Sequence, residues 1–148
     1  MLDIWKIYLI KIGLSTLLGL FVGYERTQQD KPAGIRDIAL VCLGSALFAM
    51  IGLEIGGIKN ADMARLLYAP IMGICFIGSG VILHSKNKVQ GLTTAGVLWI
   101  AVAIGLAIGI GNYILGTLSA IAVYLLLKLK HITIKIEKVG RYGRRKKK

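Results

Sequence analysis

From Gly91 to Leu127 the chain runs for 37 residues without one Asp, Glu, Lys or Arg. A helix in water needs a polar face, and this stretch has no charge to build one from; a bilayer-spanning helix needs about 20 apolar residues. Drawn as a single helix, Leu92 to Leu127 would be about 54 Å long, against a hydrocarbon core of about 30 Å. It has to turn back or protrude. The segment GLAIGIGN, residues 105–112, brings Gly105, Gly109, Gly111 and Asn112 together, and that glycine density predicts a break in the middle. The expected split is one span ending near Ile108 and another starting near Tyr113.

Three further apolar blocks precede it: about Ile4 to Tyr24, Ile38 to Gly57 and Leu67 to His84. Mean hydropathy is +0.69, too high for an ordinary soluble chain of 148 residues. The first block follows Asp3 rather than a basic cluster and has no small-residue cleavage pattern, so it is expected to be a retained span and not a signal peptide. Cys42 and Cys75 sit inside apolar runs and form no metal or redox motif. The expected class is all-α: a polytopic helical membrane bundle of about five spans over residues 1–127, followed by a basic tail over 128–148.

Lys and Arg in excess mark cytoplasmic loops. With five spans, one side holds Arg26, Lys31, Arg36, Lys86, Lys88 and the tail, and the other holds Lys6, Lys59 and Arg65. This puts the N-terminus outside and the C-terminus in the cytoplasm. The tail carries ten of the 19 basic residues and one acid, Glu137. Beside a membrane its expected partners are anionic headgroups rather than nucleic acid, with a purely topogenic role as the plain alternative. Its start, HITIKIEK, alternates Ile132, Ile134 and Ile136 with polar residues and predicts a short strand. Its end, GRYGRRKKK, has no evident fold.

Small residues four apart let helix backbones approach closely. Gly19 with Gly23, Gly52 with Gly56, and Ala101 with Gly105 and Gly109 have that spacing. They serve either packing within one subunit or a homodimer face.

Ionisable groups at membrane depth are candidates for function. On the outer side Lys11 and Glu54 come to similar depth and are expected either to pair or, for Lys11, to snorkel. On the cytoplasmic side Glu25 and Arg26 end the first span, Arg36 and Asp37 start the second, His84 ends the third, and Thr93 and Thr94 start the fourth. Lys31-Pro32-Ala33-Gly34 supplies the first turn, and Asp37 is placed to cap the second helix. Glu25 is the natural partner for Arg36, with plain interfacial solvation as the alternative. Ser79, His84 and Asp37 compose no nucleophile motif, so an enzyme is not expected.

The run GLSTLLGLFVGYERTQQDKPAGIRDIALVCLGSALF, with GICFIGSGVIL and VQGLTTAGVLWIAVAIGLAIGIGNY after it, resembles the MgtC/SapB family of bacterial membrane proteins over about residues 10–127. Position by position, the resemblance singles out Gly23, Glu25, Arg26, Ala33, Gly34, Arg36, Gly44, Gly78, Gly80, Gly91, Leu92, Thr93, Thr94, Ala95 and Trp99. Thr27, Asp37 and Cys75 depart from the family pattern. MgtC proper resembles a membrane domain followed by an ACT-like soluble domain, for which the tail here is too short.

The resemblance implies a multi-pass protein of the bacterial plasma membrane, linked to growth at low magnesium and to survival of pathogens inside macrophages. It implies a non-enzymatic regulator, favoured as a homodimer, that works through other membrane proteins such as the F-type ATP synthase. An oligomeric magnesium transporter or channel is the alternative, with a ring of Glu54 or Glu25 supplying the carboxylates that magnesium prefers. No cofactor is expected, and no set of metal ligands is assigned. A small multidrug exporter fits poorly, because those carry a Glu near the middle of the first span.

Overall fold

A computed structural model describes residues 2–59, 63–85 and 88–145, with side-chain surroundings for 3–55, 67–82 and 90–129. Five helices succeed one another: α1 Leu2–Gln28, α2 Ile35–Lys59, α3 Met63–Val81, α4 Leu92–Ile110 and α5 Tyr113–Arg145. Between α3 and α4 lies a small antiparallel hairpin, β1 Leu83–Ser85 and β2 Lys88–Gln90, in which His84 stands opposite Val89. His84 therefore belongs to a strand and does not end the third helix. The all-α class holds, with this hairpin as its one two-stranded ornament among the described residues.

Three segments, Asp3–Gln28, Ile35–Ile55 and Leu92–Ile110, are long and apolar enough to cross a membrane. Two shorter apolar segments, Leu67–Val81 and Tyr113–Leu129, accompany them. Large apolar side chains stand on the outside: Phe76 is 84% exposed, Ile114 75% and Leu9 68%. Apolar surface on that scale suits lipid rather than water.

The break in the long apolar block falls where the glycines place it: α5 starts at Tyr113 as expected, and α4 ends at Ile110, two residues later than expected. Gly111 adopts φ 105° and its N–H bonds the carbonyls of Ala107 and Ile108, while the Asn112 N–H bonds Ala107 O at 2.8 Å. This is a Schellman ending, which needs a residue in the left-handed region and is cheapest with glycine. Asn112 then caps the next helix by accepting from the Leu115 N–H at 3.2 Å.

α5 continues through HITIKIEK to Arg145, so that segment is helix and not strand. A helix already nucleated by an apolar span adds residues at little cost, whereas an isolated strand has no neighbour to pair with. Residues 146–148 lie outside the described residues.

α2 is the axis of the bundle, packed against α1, α3 and α4, while α5 lies on α4 and α1. The association rests on van der Waals contact, since lipid tails are as apolar as the side chains. A Cβ added at Gly105 would lie 2.2 Å from Cys42 O and 2.8 Å from Ser45 Cβ; at Gly109, 2.5 Å from Ala46 O. Nearer the start of α2, Gly19 and Gly23 abut the backbones of Ala39 and Ile35 at 2.6 Å by the same measure. These four glycines are spent on packing inside one chain. Gly78 makes only an ordinary contact with Ala95, and Gly80 faces open space, so Gly80 is not a packing residue. Gly52 is buried; the surroundings of Gly56 lie outside the described residues.

α1 and α5 meet through Phe21 stacked on Tyr124, ring centroids 4.4 Å apart, with Lys128 Nζ 4.9 Å from the centre of the Tyr124 ring.

Candidate functional site

The polar end of the bundle is built by the turn from α1 to α2 and by the start of α4. α1 outlasts its apolar stretch and carries Glu25 and Arg26 into the protein, 6% and 2% exposed. The turn after it is knitted by its own side chains. Thr27 Oγ1 accepts from the Ile35 N–H at 2.9 Å, and Asp37 Oδ2 accepts from the Gly34 N–H at 2.9 Å. The first bond caps α2 from the preceding helix; the second is the return half of a capping box. Asp37 thus caps its own helix, as expected. Lys31 N–H bonds Arg26 O at 3.2 Å, and Asp30 holds φ 50° to make the bend.

The buried arginine reaches across to α4. Arg26 Nη2 donates to Thr94 Oγ1 at 2.5 Å, joining residues 68 apart in sequence. Thr94 is itself 2% exposed. Arg26 Nε is buried with no hydrogen-bond partner, which is costly for a charged group. Glu25 Oε1 accepts from Gln29 Nε2 at 2.6 Å.

Arg36 is exposed at the start of α2, and the Glu25–Arg36 ion pair expected from charge is not formed. The rim arginine that is buried and engaged is Arg26. Its acceptor is a hydroxyl, which charge matching does not find.

Beside Arg26 lies a polar recess of about 540 Å³, lined by Arg26, Asp30, Lys31, the Gly91 turn, Thr93 and Thr94. Gly91 starts α4 in the left-handed conformation, φ 87°, and supplies no side-chain cap. A Cβ there would lie 2.0 Å from Val81 O, so this glycine also lets the hairpin end pass close to α3. Lys31 was expected here only as part of the cytoplasmic turn and Gly91 only through the family resemblance, while Asp30 was not singled out. The signal available for Asp30 and Lys31 was only a turn.

At the far end of the bundle, Lys11 and Glu54 take different partners and do not pair. Lys11 is 8% exposed and donates from Nζ to Gly109 O at 2.7 Å. That carbonyl belongs to the last turn of α4, where the helix dipole favours a cation. Glu54 Oε1 instead accepts from the Tyr8 hydroxyl. Lys11 is therefore not a snorkelling side chain either. Among the described residues no group of three His, Cys, Asp or Glu comes together to hold a metal.

The chain is similar to SapB of Bacillus subtilis (strain 168), 30% identical over 140 residues, which are 89% of this chain and 59% of SapB. YhiD of Escherichia coli (strain K12), whose name labels it provisionally as a magnesium transporter, is 33% identical over 130 residues, covering 84% of this chain and 60% of YhiD. MgtC of Salmonella typhimurium (strain LT2) is 35% identical over 107 residues, covering 72% of this chain and 45% of MgtC. The chain thus spans about three fifths of the length of SapB and YhiD. No solved structure matches it. The MgtC family model matches residues 12–135, from the middle of α1 deep into α5, and the rim residues from Glu25 to Thr94 all fall within that match: the chain is a membrane protein of the MgtC family.

Proposed function

We propose that the chain is a non-enzymatic, multi-pass regulator of the bacterial inner membrane, linked to growth under magnesium limitation and, in a pathogen, to virulence. In this reading it acts through other membrane proteins, of which the F-type ATP synthase is one. The rim of Arg26 and Thr94 faces the cytoplasm together with the C-terminus. The basic tail adds attraction to anionic lipid, about 1 kcal/mol per basic residue near the surface.

The observation that carries the reading is the Arg26–Thr94 bond. It commits a fully buried cation to holding α1 on α4 beside a polar recess at one end of the bundle. Such a fixed surface suits recognition. A homodimer belongs to the reading. Because Gly19, Gly23, Gly105 and Gly109 are used internally, it needs another face, such as α3 with its exposed Met72 and Phe76.

The second reading is an oligomeric magnesium transporter or channel. The name of YhiD favours it, as does the Glu54 carboxylate at the end away from the rim, where a symmetric ring would multiply one residue. Magnesium entry into liposomes carrying the purified full chain and a trapped indicator decides between the two. The regulator reading expects no entry above protein-free liposomes. Robust entry abolished by Glu54→Gln would replace it with the transporter.

A further inference from the structure

The recess beside Arg26 has the chemistry of an oxyanion site. Three independent features converge on it. The first is the start of α4, a helix of 19 residues whose N-cap is a glycine with no side-chain cap bond. The first-turn N–H groups of Leu92, Thr93 and Thr94 have no intrahelical acceptor, since the first bond of the helix is Ala95 N–H to Gly91 O at 2.9 Å. Such a helix end presents about half a positive charge to whatever lies before it.

The second feature is Arg26. It is 2% exposed, lines the recess, spends Nη2 on Thr94 and leaves Nε without a partner. The buried Glu25 carboxylate beside it balances part of the charge, but no hydrogen bond reaches Nε, and a donor brought out of water unused remains expensive. The third is Lys31 on the facing turn, which lines the same recess. Asp30 lines it too and offsets one of the two cations, so the side chains sum to one positive charge before the helix end is added. The Thr93 hydroxyl supplies a further neutral donor at the same wall.

A carboxylate ligand would use one edge of this arrangement. A tetrahedral group with three outward oxygens can meet the α4 amides, the guanidinium and the ammonium together. We propose that the recess binds a phosphate group, either as inorganic phosphate or as the monoester headgroup of an anionic lipid, seated on the first turn of α4 with Arg26 and Lys31 as its counter-charges. The proposal gives a ligand to the rim on which the regulator reading rests, but binding can be measured without any partner protein.

The test uses the full chain in two arms. In nanodiscs of phosphatidylcholine alone, inorganic phosphate is titrated by calorimetry. In the second arm, water-soluble short-chain phosphatidic acid, with short-chain phosphatidylcholine as the control, is titrated by calorimetry into the same nanodiscs. Saturable binding in the first arm assigns free phosphate. Preference for phosphatidic acid that inorganic phosphate does not match assigns the lipid. In whichever arm binds, Lys31→Gln should weaken binding about fivefold to tenfold and Thr93→Val about threefold, as loss of one charged and one neutral hydrogen bond at a partly exposed site. Both positions lie at the surface of the recess, so the fold survives and the readout stays clean. Absence of binding in both arms, or binding that neither substitution changes, overturns the proposal. Failure here leaves the regulator reading to the flux measurement, and magnesium flux would sink that reading without touching this one.

Discussion

Replacing Thr94 by Val removes one hydroxyl and leaves the shape of the side chain almost unchanged. The cost is set by the bond that Arg26 loses. Both residues are 2% exposed, so water cannot take the place of the hydroxyl without rearrangement. Nε already lacks a partner, and the substitution orphans Nη2 as well. Hydrogen bonds between helices inside membranes average only about 0.6 kcal/mol in coupling. This one has a charged donor, and bonds to charged groups contribute about 1.5–3 kcal/mol. The charged case should win, giving a loss of about 2 kcal/mol for Thr94→Val. For a chain of this size that corresponds to a fall in melting temperature of roughly 4–8 °C.

Arg26→Met removes the charge while keeping most of the buried stem and should be costly alone, because it leaves a hole where the guanidinium packed. Together with Thr94→Val it should cost at least about 1.5 kcal/mol less than the sum, since neither half of the pair is left stranded. Melting in detergent of the four proteins, read by tryptophan fluorescence and scaled through denaturant titration, gives the coupling. A coupling below about 0.5 kcal/mol would refute the view that Arg26 and Thr94 hold α1 on α4.

Other substitutions test the rest of the structure. Gly105→Ala should force α4 off α2, because its new Cβ would meet Cys42 O at 2.2 Å, and should cost about 2 kcal/mol or more in the same melting assay; Gly80→Ala, which meets nothing within 4 Å, should be neutral or slightly stabilising. Arg36→Gln, at an exposed position, should change stability by less than about 0.5 kcal/mol, and a loss of several degrees would restore Arg36 as a structural residue. Tyr8→Phe should lower the melting temperature only slightly through loss of the exposed bond to Glu54, and Glu54→Gln should be no worse, as an amide oxygen still accepts from the tyrosine.

Much of the architecture could be read from apolar length, because the bilayer imposes one length scale on every span. The turn at Gly111 shows how local chemistry refines it: the glycine cluster signalled a break, and the left-handed residue within it fixed the spot. Apolarity marks the slab, however, and not the helix. α1 runs four residues beyond Tyr24 as helix and carries its polar end inward; α5 runs on through a basic segment whose alternating isoleucines looked like a strand. Tertiary pairing was the least legible. Opposite charges suggested Glu25 with Arg36 and Lys11 with Glu54, whereas the structure gives Arg26 a threonine, Lys11 a backbone carbonyl and Glu54 a tyrosine. Hydroxyls and carbonyls leave no charge pattern in a sequence, and the carbonyl at Gly109 becomes an acceptor only because a helix ends there.

Cys42 touches two glycines of two different helices, its Cβ lying 3.1 Å from the Cβ position of Gly19 and its carbonyl 2.2 Å from that of Gly105. Helices meshed backbone to backbone on both sides of one residue cannot roll against each other without collision. α1, α2 and α4 should therefore travel as a single rigid block. Any shape change that carries a signal across this protein then has to be borne by α3 and α5, whose glycines at the block, Gly78 and Gly116, meet side chains of α4 first rather than its backbone. A covalent cross-link between α1 and α2 should leave such a signal intact, and one pinning α3 to α4 should silence it.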